Sequence, residues 1–217
     1  MKTQYLTASA VLLCIASVLG STNALAKDYL IEVVLFETLA GRDASGGAMY
    51  YPRWTNNLRL NTEQAEAQGF ATTTQGLTLS DHAQKISNSS RYRLLRHLSW
   101  IQPGLDAENA RSIRVSLGEA ITMYIAENTN DYGSFIPSDS APTASRNASV
   151  TSTTVNGNIT VRLGRFLHMD TELVFTDIDS ERSFRLTQSR KMRSGELHYI
   201  DNPRFGILTR ITPVADS

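Results

Sequence analysis

The segment Tyr29–Phe36, which reads YLIEVVLF, decides the fold class of this chain. β-Branched and aromatic residues dominate it, and apolar side chains occupy nearly every position. A strand with one face in water alternates apolar with polar residues, whereas a strand covered on both faces reads as a nearly continuous apolar run. The segment therefore predicts a central first strand with neighbours on both faces.

Segments further along the chain alternate with period two, as half-buried strands do. In Arg91–Trp100 the pattern predicts one shared apolar face, which Arg96 interrupts; its members are Tyr92, Leu94, Leu98 and Trp100. Further strands are predicted at Ser112–Val115, Ala120–Ala126, Val155–Phe175, Arg182–Met192 and Gly206–Thr212.

Helices are few. Ser80–Ile86 offers a serine N-cap and an early acid, which favour a short helix, and Thr62–Gly69 is a second candidate. Because strands outnumber helices, we predict an α+β fold, a mostly antiparallel sheet with one or two flanking short helices. Thr129–Thr153 is dominated by polar residues and proline, which predicts a flexible excursion within a single domain at 27–217.

The first 26 residues have the three parts of a secretory signal peptide. Lys2 supplies the positive charge, Leu6–Leu19 the apolar run, and Ala24–Ala26 the small residues at a cleavage site after Ala26. The only cysteine, Cys14, would leave with the signal, so the mature chain would form no disulfide. We expect an exported protein with no integral membrane anchor after cleavage; a retained N-terminal anchor is the alternative.

The overall charge is balanced, with 21 Lys and Arg against 21 Asp and Glu. A balanced chain lacks the broad positive field that attracts nucleic acid or anionic lipid. We therefore expect no nucleic-acid partner.

The segment Arg190–Pro203, which reads RKMRSGELHYIDNP, is the strongest functional candidate. Guanidinium groups bind carboxylates in bidentate fashion, and aromatic rings stack on sugars. The candidate ligand-binding residues are Arg190, Lys191, Arg193, Glu196, His198, Tyr199 and Asp201, with Trp54 and Trp100 as aromatic candidates. A solvated strand face held by local ion pairs is the alternative for the segment, and a core position is the alternative for Trp100.

Patterns typical of catalysis are weak. His97, His168 and His198 do not stand at metal-ligand spacing, and no Gly-x-Ser-x-Gly nucleophile motif occurs. We predict no catalytic residue, no metal and no cofactor. A hydrolase is the alternative.

Several blocks of the chain resemble the cell-shape-integrity (CsiV-like) family of periplasmic peptidoglycan-binding proteins. The matching blocks are Tyr29–Phe36, Trp54, Arg91–Pro103 and, most specifically, Arg165–Gly206. Three positions depart from the family pattern: Lys191 replaces an arginine, Asn202 a histidine and Phe166 a tyrosine.

The resemblance implies an accessory protein of a Gram-negative bacterium that binds peptidoglycan. It also implies that the protein promotes wall synthesis by a class A penicillin-binding protein and that enzyme's outer-membrane lipoprotein activator. The alternative is a periplasmic interaction scaffold that does not bind glycan.

Overall fold

The computed structural model describes residues 27–40, 46–48, 50, 57–118, 121–125, 135–136, 148–152 and 154–215. For 121–125, 135–136 and 148–152 it describes the backbone alone. The predicted signal peptide and Trp54 lie outside the described residues, as does much of the predicted excursion.

Thirteen strands and two short helices occur in the described part of the chain. The first eight strands are β1 (Asp28–Thr38), β2 (Asn57–Leu58), β3 (Ala71–Thr72), β4 (Tyr92–Pro103), β5 (Ser112–Leu117), β6 (Ile121–Ile125), β7 (Phe135–Ile136) and β8 (Ala148–Ser152). The other five are β9 (Val155–Leu163), β10 (Leu167–Asp177), β11 (Arg182–Met192), β12 (His198–Asp201) and β13 (Phe205–Pro213). The helices are α1 (Glu63–Glu66) and α2 (Ser80–Ser87).

The strands form two five-stranded sheets and one small sheet. The first sheet has the order β12-β13-β1-β4-β3, the second β11-β10-β9-β5-β2, and the third β7-β6-β8. Neighbouring strands are antiparallel except for β2 and β5, which are parallel. The predicted α+β class, mostly antiparallel with short helices, is confirmed.

Strand β1 lies at the centre of the first sheet and is covered on both faces, as its apolar run predicts. Ile31, Val33 and Leu35 belong to the main core, which also contains side chains of the second sheet. On the other face, Val34 packs with Ala83 of α2. Full burial of such a side chain contributes about 1.5–3 kcal/mol to folding, so β1 anchors both layers.

A β-bulge changes the faces of β4. Leu35 of β1 is in register with Arg96, but Phe36 is in register with Leu94, so one extra residue stands between them. An extra residue turns the following side chains to the opposite face. The prediction of one shared face is therefore wrong: Leu98 packs against the main core, whereas Leu94 packs beneath α2.

Helix α2 begins where predicted but is capped differently. Its N-cap is Leu79, which makes no side-chain cap, so the predicted Ser80 cap is wrong. Instead, the buried Glu32 carboxylate of β1 accepts hydrogen bonds from the backbone N–H of Thr78 at 2.8 Å and of Leu79 at 3.0 Å. Burial raises the pKa of the Glu32 carboxyl, but donors from Thr78, Leu79 and His97 outweigh it and leave the pKa below its ordinary value.

Two other predictions differ in detail. The predicted strand Val155–Phe175 is a hairpin of β9 and β10, whose tight turn contains a hydrogen bond from the Gly164 N–H to the Phe166 carbonyl at 3.0 Å. The predicted excursion contains strands β7 and β8, which pair with β6. Val150 and Thr151 are β-branched and favour strands, a local signal within a polar composition.

Within the described residues, no helix is long and apolar enough to cross a membrane.

Candidate functional site

The candidate segment lies where the two large sheets meet. Strand β11 is an edge of the second sheet and β12 an edge of the first. Side chains connect them: Arg190 Nη2 donates to the Tyr199 carbonyl at 3.3 Å, and Asn202 Nδ2 donates to the Arg185 carbonyl at 3.1 Å. We call this junction the closed seam. It brings the seven candidate residues of Arg190–Asp201 onto one exposed edge, here named the edge surface.

A glycine turn positions the segment between the two strands. Gly195 has φ 80°, a left-handed conformation that favours glycine, and its N–H donates to the Ile211 carbonyl at 2.8 Å. The chain then enters β12, a strand that the sequence analysis missed. The alternation of apolar Ile200 with its polar neighbours could have predicted this strand, in which Ile200 is buried between the exposed Tyr199 and Asp201.

The three cations of the edge surface are exposed to solvent. The Arg193 side chain is 77% exposed and lies 3.8 Å from Glu196. Lys191 Nζ lies 3.5 Å from the centroid of the Phe166 ring. An exposed ion pair contributes about 0–1 kcal/mol, so Glu196 holds Arg193 only weakly. These cations are therefore available to an anionic ligand.

The two acids of the edge surface lie beside its two rings, and one of them makes a hydrogen bond. Glu196 Oε2 lies 3.4 Å from Nε2 of the mostly buried His198, outside good hydrogen-bond geometry. Tyr199 donates its hydroxyl to Asp201 at 2.9 Å and stacks on Phe36, with ring centroids 6.0 Å apart. Burial, and then the Asp201 carboxylate, raise the pKa of the Tyr199 phenol, so it remains a neutral hydrogen-bond donor at physiological pH.

Apolar side chains accompany these charges. Among the described residues the exposed large apolar side chains are Ile178, Leu197 and Tyr199, and two of the three belong to this segment. Exposed apolar groups rimmed by charge are typical of binding surfaces.

The two tryptophan candidates do not join the edge surface. Trp100 is 1% exposed, and its indole N–H donates to Gln102 at 2.9 Å, so it is a core residue and cannot contact a ligand. Trp54 lies outside the described residues.

A buried charged network, which the sequence did not predict, lies around Arg204. Arg204 is 5% exposed and contacts Glu37 of β1 at 2.7 Å and Asp177 of β10 at 2.9 Å. Its guanidinium lies 5.1 Å from the Phe175 ring centroid. Arg204 therefore links the first sheet to the second inside the protein. The described residues contain no group of three or more His, Cys, Asp or Glu side chains that could hold a metal ion.

Together the fold and this surface define a β-rich protein with an exposed edge of mixed cationic and apolar character. The family model described as "Peptidoglycan-binding protein, CsiV" matches residues 5–214, so the chain belongs to this family. The resemblance found in the sequence is confirmed, and the family description supports peptidoglycan binding. Comparison with curated proteins gives no match, and comparison with solved structures gives none.

Proposed function

We propose that this protein is a non-catalytic accessory factor of the periplasm, where it binds peptidoglycan through the edge surface. In this role it promotes wall synthesis by a class A penicillin-binding protein together with that enzyme's outer-membrane lipoprotein activator. Family membership supports the peptidoglycan ligand. The observation that carries the choice of surface is the exposure of three cations beside Leu197 and Tyr199.

The chemistry of the edge surface suits a wall polymer. Peptidoglycan combines sugar rings with peptide stems that carry carboxylates. Arg190 and Arg193 can bind carboxylates through paired N–H donors, whereas a sugar can pack against Leu197 and Tyr199. The Tyr199 side chain is already held by its hydrogen bond to Asp201, so binding would not have to order it.

Pelleting with purified sacculi tests this proposal. We expect the mature protein to pellet with sacculi and the Arg190→Ala, Arg193→Ala double variant to pellet several-fold less, because two charge-assisted contacts are lost. The matched control is Lys85→Ala, Arg91→Ala, which removes two exposed cations elsewhere. Equal pelleting of both double variants would show that the edge surface is not where the protein binds sacculi. Absence of pelleting by the unaltered protein would remove peptidoglycan binding itself.

A protein-docking role without glycan binding is the second candidate. Leu197 is 40% exposed, which favours contact with another protein. A pull-down of a class A penicillin-binding protein and its activator in the absence of sacculi separates the two functions. Loss of capture in Leu197→Ser with unchanged sacculus pelleting would assign the apolar part of the surface to a protein partner.

The proposed absence of catalysis has its own test. The carboxyl groups of Glu32, Asp106 and Asp170 have a lowered pKa, opposite in direction to that of a general acid. Because the chain has no Gly-x-Ser-x-Gly motif and no histidines at metal-ligand spacing, we expect incubation of sacculi with the protein to release no muropeptides above the buffer control. Release that tracks protein concentration would establish a hydrolase.

A further inference from the structure

A second junction of the two large sheets lies opposite the closed seam. There β4 of the first sheet and β5 of the second sheet line a groove of about 700 Å³. Segments 59–61 and 72–74, which follow β2 and β3, complete its walls. We call this junction the open seam.

The groove gathers positive charge. Arg59, Arg96 and Arg114 line it, and its described lining contains no Asp or Glu. Elsewhere in the described residues, Arg162 lies beside an acid, with its Nε 2.8 Å from Asp170. Burial lowers the pKa of Arg114, and the neighbouring Arg59 guanidinium lowers it further. An anion in the groove would relieve this repulsion.

The groove walls also suit a peptide. Leu98, Val115 and Leu117 line it with apolar atoms, and Ser99 and Ser116 add polar groups to the same lining. Such walls can cover aliphatic stems and bond to amides at the same time.

Short flanking strands leave backbone groups at the groove. β3 pairs with β4 at Trp100 and Ile101, and one residue further the Thr73 N–H donates to the Ser99 carbonyl at 3.3 Å. Within the described residues, the β3-facing edge of β4 from Arg96 to Leu98 therefore has no ladder partner. An exposed strand edge can accept an extended peptide, because its N–H and C=O groups are the complement of another strand.

We infer that the groove of Arg59, Arg96 and Arg114 binds the peptide stem of peptidoglycan, with stem carboxylates on the guanidinium groups and stem amides along β4. The inference rests on the proposed function. It commits to the stem because the groove offers several guanidinium groups, an apolar wall and a strand edge, and a short peptide with several carboxylates matches all three. The edge surface then contacts other parts of the same polymer.

Titration with a soluble stem tetrapeptide that carries no sugar tests the groove directly. We expect saturable binding by the mature protein that weakens as salt is raised. Arg59→Gln, Arg96→Gln should bind at least about tenfold more weakly, because each lost guanidinium contact is worth a factor of this order. Both side chains are exposed, so this variant should fold. The control Lys85→Gln, Arg91→Gln should bind as the unaltered protein does.

A stem peptide with its carboxylates amidated supplies a test that needs no variant. We expect its binding to be lost. Equal affinity for the amidated and free stems, or equal affinity of the groove variant and the control, would overturn the inference. Equally tight binding of an unrelated tri-glutamate peptide would make the groove a general site for acidic peptides, and binding of inorganic phosphate alone would make it a phosphate site. Either result overturns the assignment to the stem.

Failure of the inference and failure of the proposed function are distinguishable. If sacculi pellet the unaltered protein but the free stem does not bind, the groove assignment is wrong and peptidoglycan binding stands. If neither sacculi nor the stem binds, the proposed function fails as well.

Discussion

The two seams between the large sheets differ in how the strand edges are completed. At the closed seam, Arg190 and Asn202 donate to carbonyl groups of the facing strand, and the acids Glu196 and Asp201 stand among the cations. At the open seam, three arginines border a groove whose described lining has no acid. The comparison teaches that side-chain hydrogen bonds can join two sheets on one side while a cationic groove separates their strands on the other.

Substitution of Arg204 should lower the free energy of unfolding more than any other change considered, because this residue links the two sheets inside the protein. Arg204→Ala leaves Glu37 and Asp177 without their buried partner, and loss of one member of such a pair costs about 3–5 kcal/mol. Urea unfolding of the variant beside Arg193→Ala measures the difference. The exposed Arg193 should cost less than about 0.5 kcal/mol. Similar losses for both would show that Arg204 does not hold the sheets together.

The Glu32 carboxylate should make the free energy of unfolding depend on pH. Its pKa lies below the ordinary 4.5 in the folded protein, so its contribution is fully present above 4.5 and is lost as pH falls through the lowered value. Glu32→Gln should cost about 1–3 kcal/mol at neutral pH, because charged hydrogen bonds to Thr78 and Leu79 are weakened. The free energy of unfolding of the variant should also fall less than that of the unaltered protein between pH 6 and pH 3, values chosen as about 1.5 units either side of the ordinary pKa. Parallel pH profiles would contradict this role.

Asn202 should matter mainly at the closed seam. Its side-chain oxygen accepts from Arg204 N–H at 2.8 Å and Phe205 N–H at 3.0 Å, and its amide donates to the Arg185 carbonyl. Asn202→Ala should lower the free energy of unfolding by about 1–3 kcal/mol. Hydrogen exchange should show faster opening of β12 than of β4. Uniform acceleration in both strands would mean that the residue does not act locally.

Substitution of Gly195 should cause the smallest loss of stability and test whether the turn requires a positive φ. A Cβ atom would meet nothing within 4 Å, so the cost comes from the positive φ alone. Gly195→Ala should therefore destabilise the protein by about 1 kcal/mol, and Gly195→Asn by less, because asparagine tolerates this conformation. Thermal unfolding of the two variants checks the order. Equal losses would indicate a packing role instead.

The sequence predicted what depends on local pattern. The apolar run of Tyr29–Phe36 identified the central strand, and polar first-turn residues identified α2. The bulge of β4 could not be predicted, because it is defined by register against β1. The cap by Glu32 joins residues 46 positions apart, and a single sequence does not show that pairing.

The candidate site divides in the same way. Clustering in sequence placed Arg190–Asp201 on one surface, because a short turn keeps the two strands adjacent. Trp100 looked equally suited to a ligand or to the core, and only its packing decided. The groove combines Arg59, Arg96 and Arg114 from three separate segments, so no motif announces it.

The brevity of β2 and β3 has a consequence for solubility. A long bare sheet margin invites a second copy of the chain to add on and can start fibril growth. Arg96 stands on the part of β4 that β3 does not pair with. Charged side chains on an exposed strand edge disfavour pairing with a second copy, so Arg96 should protect this edge from self-association.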